Sequence, residues 1–482
     1  MTNAQPRNTL KSGWEEFIMT FRNKKVIIAI LTTLGILILF RIGSVVPMPF
    51  IKITKNEFSD NSFLQIMNLL GGGGLSQFSI FAIGISPYIT AQIIVQLLSS
   101  DLIPPLARMT KSGEKGRKKL EVITRVLTLP FAIVQAYAIM SMMLNQTGII
   151  TISENLPLVR GSAGFYVFYI VVMIAGTYIS ILLGDLISKR GVGNGMTLII
   201  ITGIIASLFN SFQTVFNSLQ NISAQNTQLV TMIAFIVYIF FYLLVLVGVI
   251  FIDGSVRKIP IQQVGQSFSR DSKELSYLPI KINSASVIPV IFASSIMTIP
   301  TTIAQLLPQS SASVNFINRY IALDSISGLI IYFFLIILFT FFYSYVQLNP
   351  NKISEDFKKS GRFIPGVKVG EDTEKHISKI LYRVNWIGGP FLAIVAALPY
   401  IVSIATRTAS GGLIEIPSYA SLGGTGIVIM VAGTIELWES IRSTSKTATY
   451  SYQKKELTES LTNIITNQEN ITSDKDDESQ LW

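Results

Sequence analysis

Apolar residues in this chain gather into long, nearly unbroken runs parted by short polar connections, and run length carries the first structural message. About 20 apolar residues, wound as a helix, cross about 30 Å of hydrocarbon. Ten runs qualify, near residues 26–46, 77–99, 122–144, 164–186, 194–213, 230–252, 287–307, 327–347, 385–403 and 420–440. The pattern predicts an all-α polytopic membrane protein with ten transmembrane helices. The connection between the fourth and fifth, "SKRGVGNGM" (Ser188 to Met196), is very short.

One stretch departs from the pattern. "NLLGGGGLSQFSIFAIGISPYITAQIIVQLLSS" (Asn68 to Ser100) opens on four glycines, carries Pro87 in mid-run and is dotted with polar residues. Each glycine costs a helix about 1 kcal/mol relative to alanine. The apolar piece before them, "FLQIMNLL" (Phe63 to Leu70), is too short to cross. A re-entrant segment is expected there. Non-helical backbone at membrane depth survives only where it is buried in protein or lines an aqueous cavity, and a cavity beside the glycines is the expectation.

Five runs precede, and five follow, the polar link "NSLQNISAQNTQ" (Asn217 to Gln228). Five is odd, so two such halves must be inverted with respect to each other. The expected division is an N-terminal segment 1–25, a first half 26–216, a hinge linker 217–229, a second half 230–440 and a tail 441–482. The tail ends in the acidic "SDKDDES", read as disordered.

Charge then orients the spans. Charged residues make up only 14% of the chain against 50% apolar ones, where soluble domains carry about 25% charged. Of the 38 Lys and Arg, 32 fall in the two termini and in or at the border of the even-numbered connections, Arg125 lying just inside the third run. The positive-inside rule puts both termini in the cytoplasm. Arg7, Lys11, Arg22, Lys24 and Lys25 precede a first run that lacks a small-residue cleavage site, which reads as a retained span.

Candidate chemistry is sparse. The chain has no cysteine, so disulfides, thiolate metal sites and thiol nucleophiles are excluded. Its one histidine, His376, lies in the basic connection Val346 to Leu381, outside the spans, where it can serve neither a Ser–His pair nor a metal in the membrane. No phosphate-binding G-x-x-x-x-G-K-[ST] run occurs. No catalytic residue, metal site or cofactor is expected. Ionisable groups within the spans are few: Arg41 lies deep, and Asp185 and Glu436 lie near the cytoplasmic ends, as do Arg125 and Glu439 at the run borders. A polytopic secondary transporter, the second reading, would need paired intramembrane carboxylates or broken helices around a substrate.

Seven ordered motifs carry a resemblance. "FRIGSVVPMP", "GGGGLSQFSIFAIGISPYITAQIIVQLL", "KSGEKGRKK", "RGVGNGM", "VIPVIFASSI", "LNPNKISEDFKKSGRFIPGVKVGE" and "LGGTGI" together resemble the SecY family, channel subunits of the bacterial protein translocase, over about residues 14 to 442. The resemblance implies two halves closing as a clamshell around an hourglass pore in the plasma membrane. A plug is implied at Phe63, Leu64, Ile66, Met67, Leu69, Leu70, Gly71, Gly72, Gly73 and Gly74. A constriction ring is implied at Ile85, Ile89, Met196, Ile200, Ile291 and Ile429. Within that ring, Ile85 with Ile89 and Met196 with Ile200 are i,i+4 pairs on one helix face. A lateral gate between spans two and seven is implied, with Thr90, Gln96, Asn283, Ser294, Ser295, Thr298 and Ile299 along it, and its polar groups are expected to hydrogen-bond across the seam. Isoleucines in "IIVQLL" (Ile93 to Leu98) are expected to face lipid. Implied partners are SecE-like and SecG-like small membrane subunits, the SecA ATPase, the ribosome with its nascent chain, signal sequences, unfolded secretory chains and lipid. Arg257, Lys258, Lys358, Lys359, Arg362 and Lys368 are the docking cations. Lys368 stands where the family carries an arginine in its "PG-x-R-P-G" turn, so the planar bidentate fork is missing there.

Overall fold

The computed structural model describes residues 24–53, 62–99, 103–146, 150–152, 163–222, 228–263, 276–308, 311–323, 325–409 and 424–445. The expected N-terminal segment up to residue 23 and the acidic tail beyond 445 lie outside the described residues.

The described chain is helical, with short strands in its connections. Among the described residues, eight helices are long and apolar enough to cross a membrane. These include α1 (Lys24–Val45), α5 (Glu114–Ser141), α6 (Ala163–Arg190), α8 (Gln228–Gly254), α9 (Ile288–Leu306), α11 (Ile326–Leu348), α13 (Glu371–Ala409) and, last, α14 (Gly424–Ser445). The fifth expected span is α7 (Gly195–Ile222), which runs on past residue 213 and shortens the expected hinge linker. The second is α3, confined to Ser86–Leu97, about 18 Å of helix. Residues 77–85, expected as helix, are turns. Gly84 takes φ +54°, open to glycine at little cost, and Pro87 sits in the first turn of α3 with Ile85 as its N-cap. There its missing N–H removes no helix bond, so it starts this helix rather than kinking one.

Burial separates interior from outward-facing helices. In its most apolar stretch α8 buries 11% of residues and α9 61%. The exposed faces of α1 and α8 are apolar: Ile28, Leu31, Ile38 and Ile42 on one, Phe240, Val247 and Phe251 on the other. In water such exposure would cost about 25 cal/mol per Å²; against lipid tails it costs nothing comparable.

Two compact units partition the residues. The smaller joins the start of α1, the α6–α7 connection and the end of α14. Val26, Val192 and Ile441 pack there, Thr33 Oγ1 accepts the Val192 N–H at 3.0 Å, and Ser440 Oγ accepts the Gly193 N–H at 3.1 Å. The larger comprises residues 37–184 and 196–435. In it β1 (Ile51–Ile53) pairs antiparallel with β2 (Ile150–Ile152), Ile51 opposite Ile152.

The basic connections fold into a small layer of their own. Strand β3 (Val256–Pro260) pairs with β5 (Tyr277–Lys281), and β4 (Gln262–Gln263) with β6 (Arg362–Phe363). Helix α12 (Pro350–Ser360) is capped by Asn349, whose Oδ1 accepts the Lys352 N–H at 3.2 Å. Ile259, Ile261, Ile280, Phe357, Ile364, Ile377 and Leu381 form the core of this layer. Helices α12 and α13 flank its Gly- and Pro-bearing turn.

Candidate functional site

The short helix α2 (Ser62–Leu70) ends where its glycines begin. The Gly71 N–H donates to the Met67 carbonyl at 2.8 Å and the Gly73 N–H to the Asn68 carbonyl at 2.8 Å. Gly72 and Gly73 take φ of +81° and +85°. Asn68 Oδ1 fixes the turn by accepting the N–H groups of Leu75 and Ser76, each at 3.1 Å. Leu64 and Met67 sink into a core with Phe78, Ile83, Ile139, Met140, Phe165 and Tyr169. Leu70 is buried and Leu69 half-buried. The side chains of Phe63 and Ile66 lie outside those described.

The glycines are not a loose entrance beside a cavity. All four are buried, and other chain segments fill the space their side chains would need. A Cβ on Gly74 would lie 2.5 Å from the Phe81 carbonyl oxygen, and one on Gly84 would lie 1.9 Å from that of Gly71. A Cβ on Gly203, in α7, would lie 2.2 Å from the carbonyl carbon of Gly72. Of the two settings open to irregular backbone at depth, this one is burial in protein. Arg41 reaches the same turn. Its Nη1 donates to Ser44 Oγ at 3.3 Å and lies 3.2 Å from where a Cβ on Gly73 would be.

The six ring positions come from four helices and the residue capping α3. Ile85, Ile89, Ile200, Ile291 and Ile429 are buried; Met196 is half-buried, its sulfur packed on Gly184. On α7, Ile199 and Gly203 meet the glycine turn, while Thr197, Ile201 and Ile204 meet Gly426 and Gly433 of α14. At about 100° per residue, Met196 and Ile200 fall between those two faces.

Helix α9 packs against α2, α3 and α5, which closes a seam between elements early and late in the chain. Hydrogen bonds do not bridge it as expected. Thr90 Oγ1 donates to the Ser86 carbonyl and Thr298 Oγ1 to that of Ser294, each within its own helix. Ser294 Oγ donates to the Val290 carbonyl and lies 3.1 Å from Tyr332 Oη, whose other neighbour is Thr425 Oγ1. Asn283 Nδ2 donates to Asp253 Oδ1 at 2.8 Å. Buried Ser295 Oγ and Gln96 Oε1 have no hydrogen-bond partner among the described residues, and Ile299 is half-buried. A threonine or serine in a helix can bond back to its own i−4 carbonyl, and these do. Of the isoleucines expected to face lipid, Ile93 is buried and Ile94 half-buried. Asp253, Tyr332 and Gly203 escape the sequence reading. Asp253 lies one residue beyond an apolar run, and nothing local marks the other two.

The six predicted docking cations, Arg257, Lys258, Lys358, Lys359, Arg362 and Lys368, are all exposed on the basic layer. Lys258 Nζ stands 4.9 Å from the centre of the Tyr277 ring. Lys368 rides a turn bounded by Gly366 (φ +81°) and Gly370 (φ +110°), and its carbonyl accepts the Thr373 hydroxyl at 2.8 Å. His376 is half-buried on α13 rather than free in a loop.

Comparison with known proteins adds a family. The SecY family model matches residues 79–438. Among curated relatives, the protein translocase subunit SecY of Mycoplasmoides gallisepticum is 49% identical, the match covering 92% of this chain and 87% of the relative. That of Mycoplasma pneumoniae is 46% identical, covering 94% of each. A solved structure described as "The structure of a protein conducting channel" superposes with a TM-score of 0.59 at 18% identity, over 86% of this chain and 92% of that one. Sec61 in a canine ribosome–channel complex from the endoplasmic reticulum gives 0.56 at 18% identity, over 86% and 92%.

Proposed function

The chain belongs to the SecY family, and from that membership we propose how this molecule conducts protein. It is the central protein-conducting channel of a Sec translocon and a multi-pass membrane protein. In our reading the halves 26–216 and 230–440 open about the linker 217–229. Helices α3 and α9 part to release signal sequences and membrane-protein helices into lipid, while unfolded secretory chains pass the ring of Ile85, Ile89, Met196, Ile200, Ile291 and Ile429. A ring of branched apolar side chains dewets when empty and so blocks ions without a rigid door. Helix α2 and its glycine turn, residues 63–74, are the plug.

The observation that carries this reading is the packing of α9 against both α3 and α2. The hydroxyls of Thr90, Ser294 and Thr298 bond to carbonyls of their own helices, so parting α3 from α9 breaks none of these bonds, where a cross-helix bond averages about 0.6 kcal/mol in membranes.

The driving partners meet the basic layer. SecA and the ribosome are the proposed visitors, drawn to exposed Arg257, Lys258, Lys358, Lys359, Arg362 and Lys368 by charge. SecE-like and SecG-like subunits complete the complex. The plasma membrane of a bacterium, with both chain termini cytoplasmic, is the proposed setting, argued from the 32 of 38 cations on one side.

A disulfide across the seam tests the gate. The chain has no cysteine of its own, so Thr90→Cys with Ile299→Cys gives a single possible bridge. Oxidation is expected to stop export and reduction to restore it; undiminished export through a fully bridged pair refutes the assignment.

A further inference from the structure

The basic layer holds a corner that the proposed channel mechanism uses only through Arg257, one of its docking cations. The Ile282 N–H donates to the Ser255 carbonyl at 2.9 Å and the Ser255 N–H to the Ile252 carbonyl at 3.2 Å, fixing the base of the β3–β5 hairpin on the end of α8. Across the corner Ile380, Arg383, Val384 and Ile387 recur at i, i+3, i+4 and i+7, one face of α13. Gly388 lets the helix touch the hairpin base, since a Cβ there would sit 2.6 Å from the Ile282 carbonyl oxygen. Beside that contact a cavity of about 560 Å³ opens between the α13 stripe and Val256 with Arg257.

Its lining joins two chemistries. Arg257 and Arg383 both reach it, both are exposed, and neither has an ion-pair partner among the described residues. No acidic side chain lines it, and nearby Asp253 is buried with Asn283. The rest of the wall is mainly apolar, and Ile387 stays 60% exposed although its helical spacing marks a packing stripe. Tyr382 and Trp386, at the same height of α13 but turned about 110–150° around the helix from this stripe, are each 57% exposed and in edge contact with one another. Exposed Tyr and Trp flanking an apolar helix mark the bilayer–water boundary.

We propose that this corner is a binding site for an anionic phospholipid, its phosphodiester held between Arg257 and Arg383 and an acyl chain laid along Val384 and Ile387. Guanidinium forks match phosphate oxygens in pairs, and the apolar stripe gives the lipid a second contact that a soluble anion cannot use. The inference rests on the proposed topology only in placing this end of α13 at the inner leaflet.

Native mass spectrometry of the full chain, purified in detergent with its co-purifying membrane subunits, tests the site. The probes are phosphatidylglycerol, phosphatidylcholine of the same acyl chains and inorganic phosphate. Phosphatidylglycerol is expected to be retained over phosphatidylcholine. Arg257→Gln and Arg383→Gln should each weaken its retention about fivefold, the contribution of one cation near an anionic surface. Val384→Trp, which fills the cavity and keeps both arginines, should displace it too, whereas Lys352→Gln, an exposed cation elsewhere on the layer, should not. Equal retention of the two lipids, or wild-type retention in both arginine variants, overturns the site. Competition by inorganic phosphate at the same concentration as the lipid overturns the lipid assignment in favour of a free-anion site. The readout is bound lipid, so an export defect in the gate experiment leaves it unaffected.

Discussion

A single methyl group at residue 203 tests whether the proposed plug is held by backbone contact. A Cβ on Gly203 would stand 2.2 Å from the carbonyl carbon of Gly72, 2.4 Å from its oxygen and 2.6 Å from its Cα. Restoring ordinary contact requires α7 and the turn to part by more than about 1 Å. The turn has little freedom to yield. Gly72 is held at φ +81° and is hemmed on its side-chain face by Phe40, 3.0 Å from a notional Cβ, and by Ile199 at 3.3 Å. Overpacking of this kind costs about 1–3 kcal/mol. The helix gain from alanine, about 1 kcal/mol, applies with the plug docked or undocked and cancels. Gly203→Ala should therefore raise the undocked population about 5- to 150-fold. The assay is labelling of a sole cysteine at buried position Met67 by a membrane-impermeant maleimide, whose rate follows the open population while reclosing is fast. Gly248→Ala, where nothing lies within 4 Å of the added carbon, should leave the rate unchanged. A rate within twofold of the parent for Gly203→Ala, or an equal rise for both variants, would mean that the turn does not hold the plug.

Three further outcomes follow from particular contacts. Ile85→Asn, Ile89→Asn or Ile200→Asn puts a hydrogen-bonding group into the proposed ring and should raise resting conductance in planar bilayers, whereas Asn at exposed Ile28 or Ile42 of α1 should lower expression without a leak. Lys368→Glu should slow ATPase-driven export with assembly intact, and Lys368→Arg should match or exceed the parent because it adds donors while keeping the charge; normal export by the Glu variant refutes that contact. Asn283→Leu removes a donor from buried Asp253 and should cost about 1–3 kcal/mol, read as a lower melting temperature in detergent, with an unchanged melt counting against the pair.

Membership of the translocation channel family was legible through seven ordered motifs, and the polytopic helical pattern was legible because its main determinants are local. Apolar run length fixes which segments suit lipid, and the distribution of Lys and Arg fixes an orientation. Asn349 followed by Pro350 starts α12 whatever surrounds it. Hydropathy does not distinguish an apolar residue facing lipid from one buried in protein. That is why 77–85 read as membrane helix when it is a set of turns, and why Ile93 read as outward when it is buried. The glycines show the same limit more sharply. Their sequence said that a helix must stop, which it does at Leu70. Only tertiary structure decided that Gly72 meets Gly203 some 130 residues away, turning apparent looseness into close packing. Hydroxyl pairing was likewise decided in three dimensions: a serine or threonine can reach its own helix or a neighbour at similar cost, and the packing of α9 sends Ser294 toward Tyr332 rather than across the seam. Properties set by composition and by solvent are carried in the string of residues, whereas those set by which surfaces meet depend on distances that no local pattern encodes.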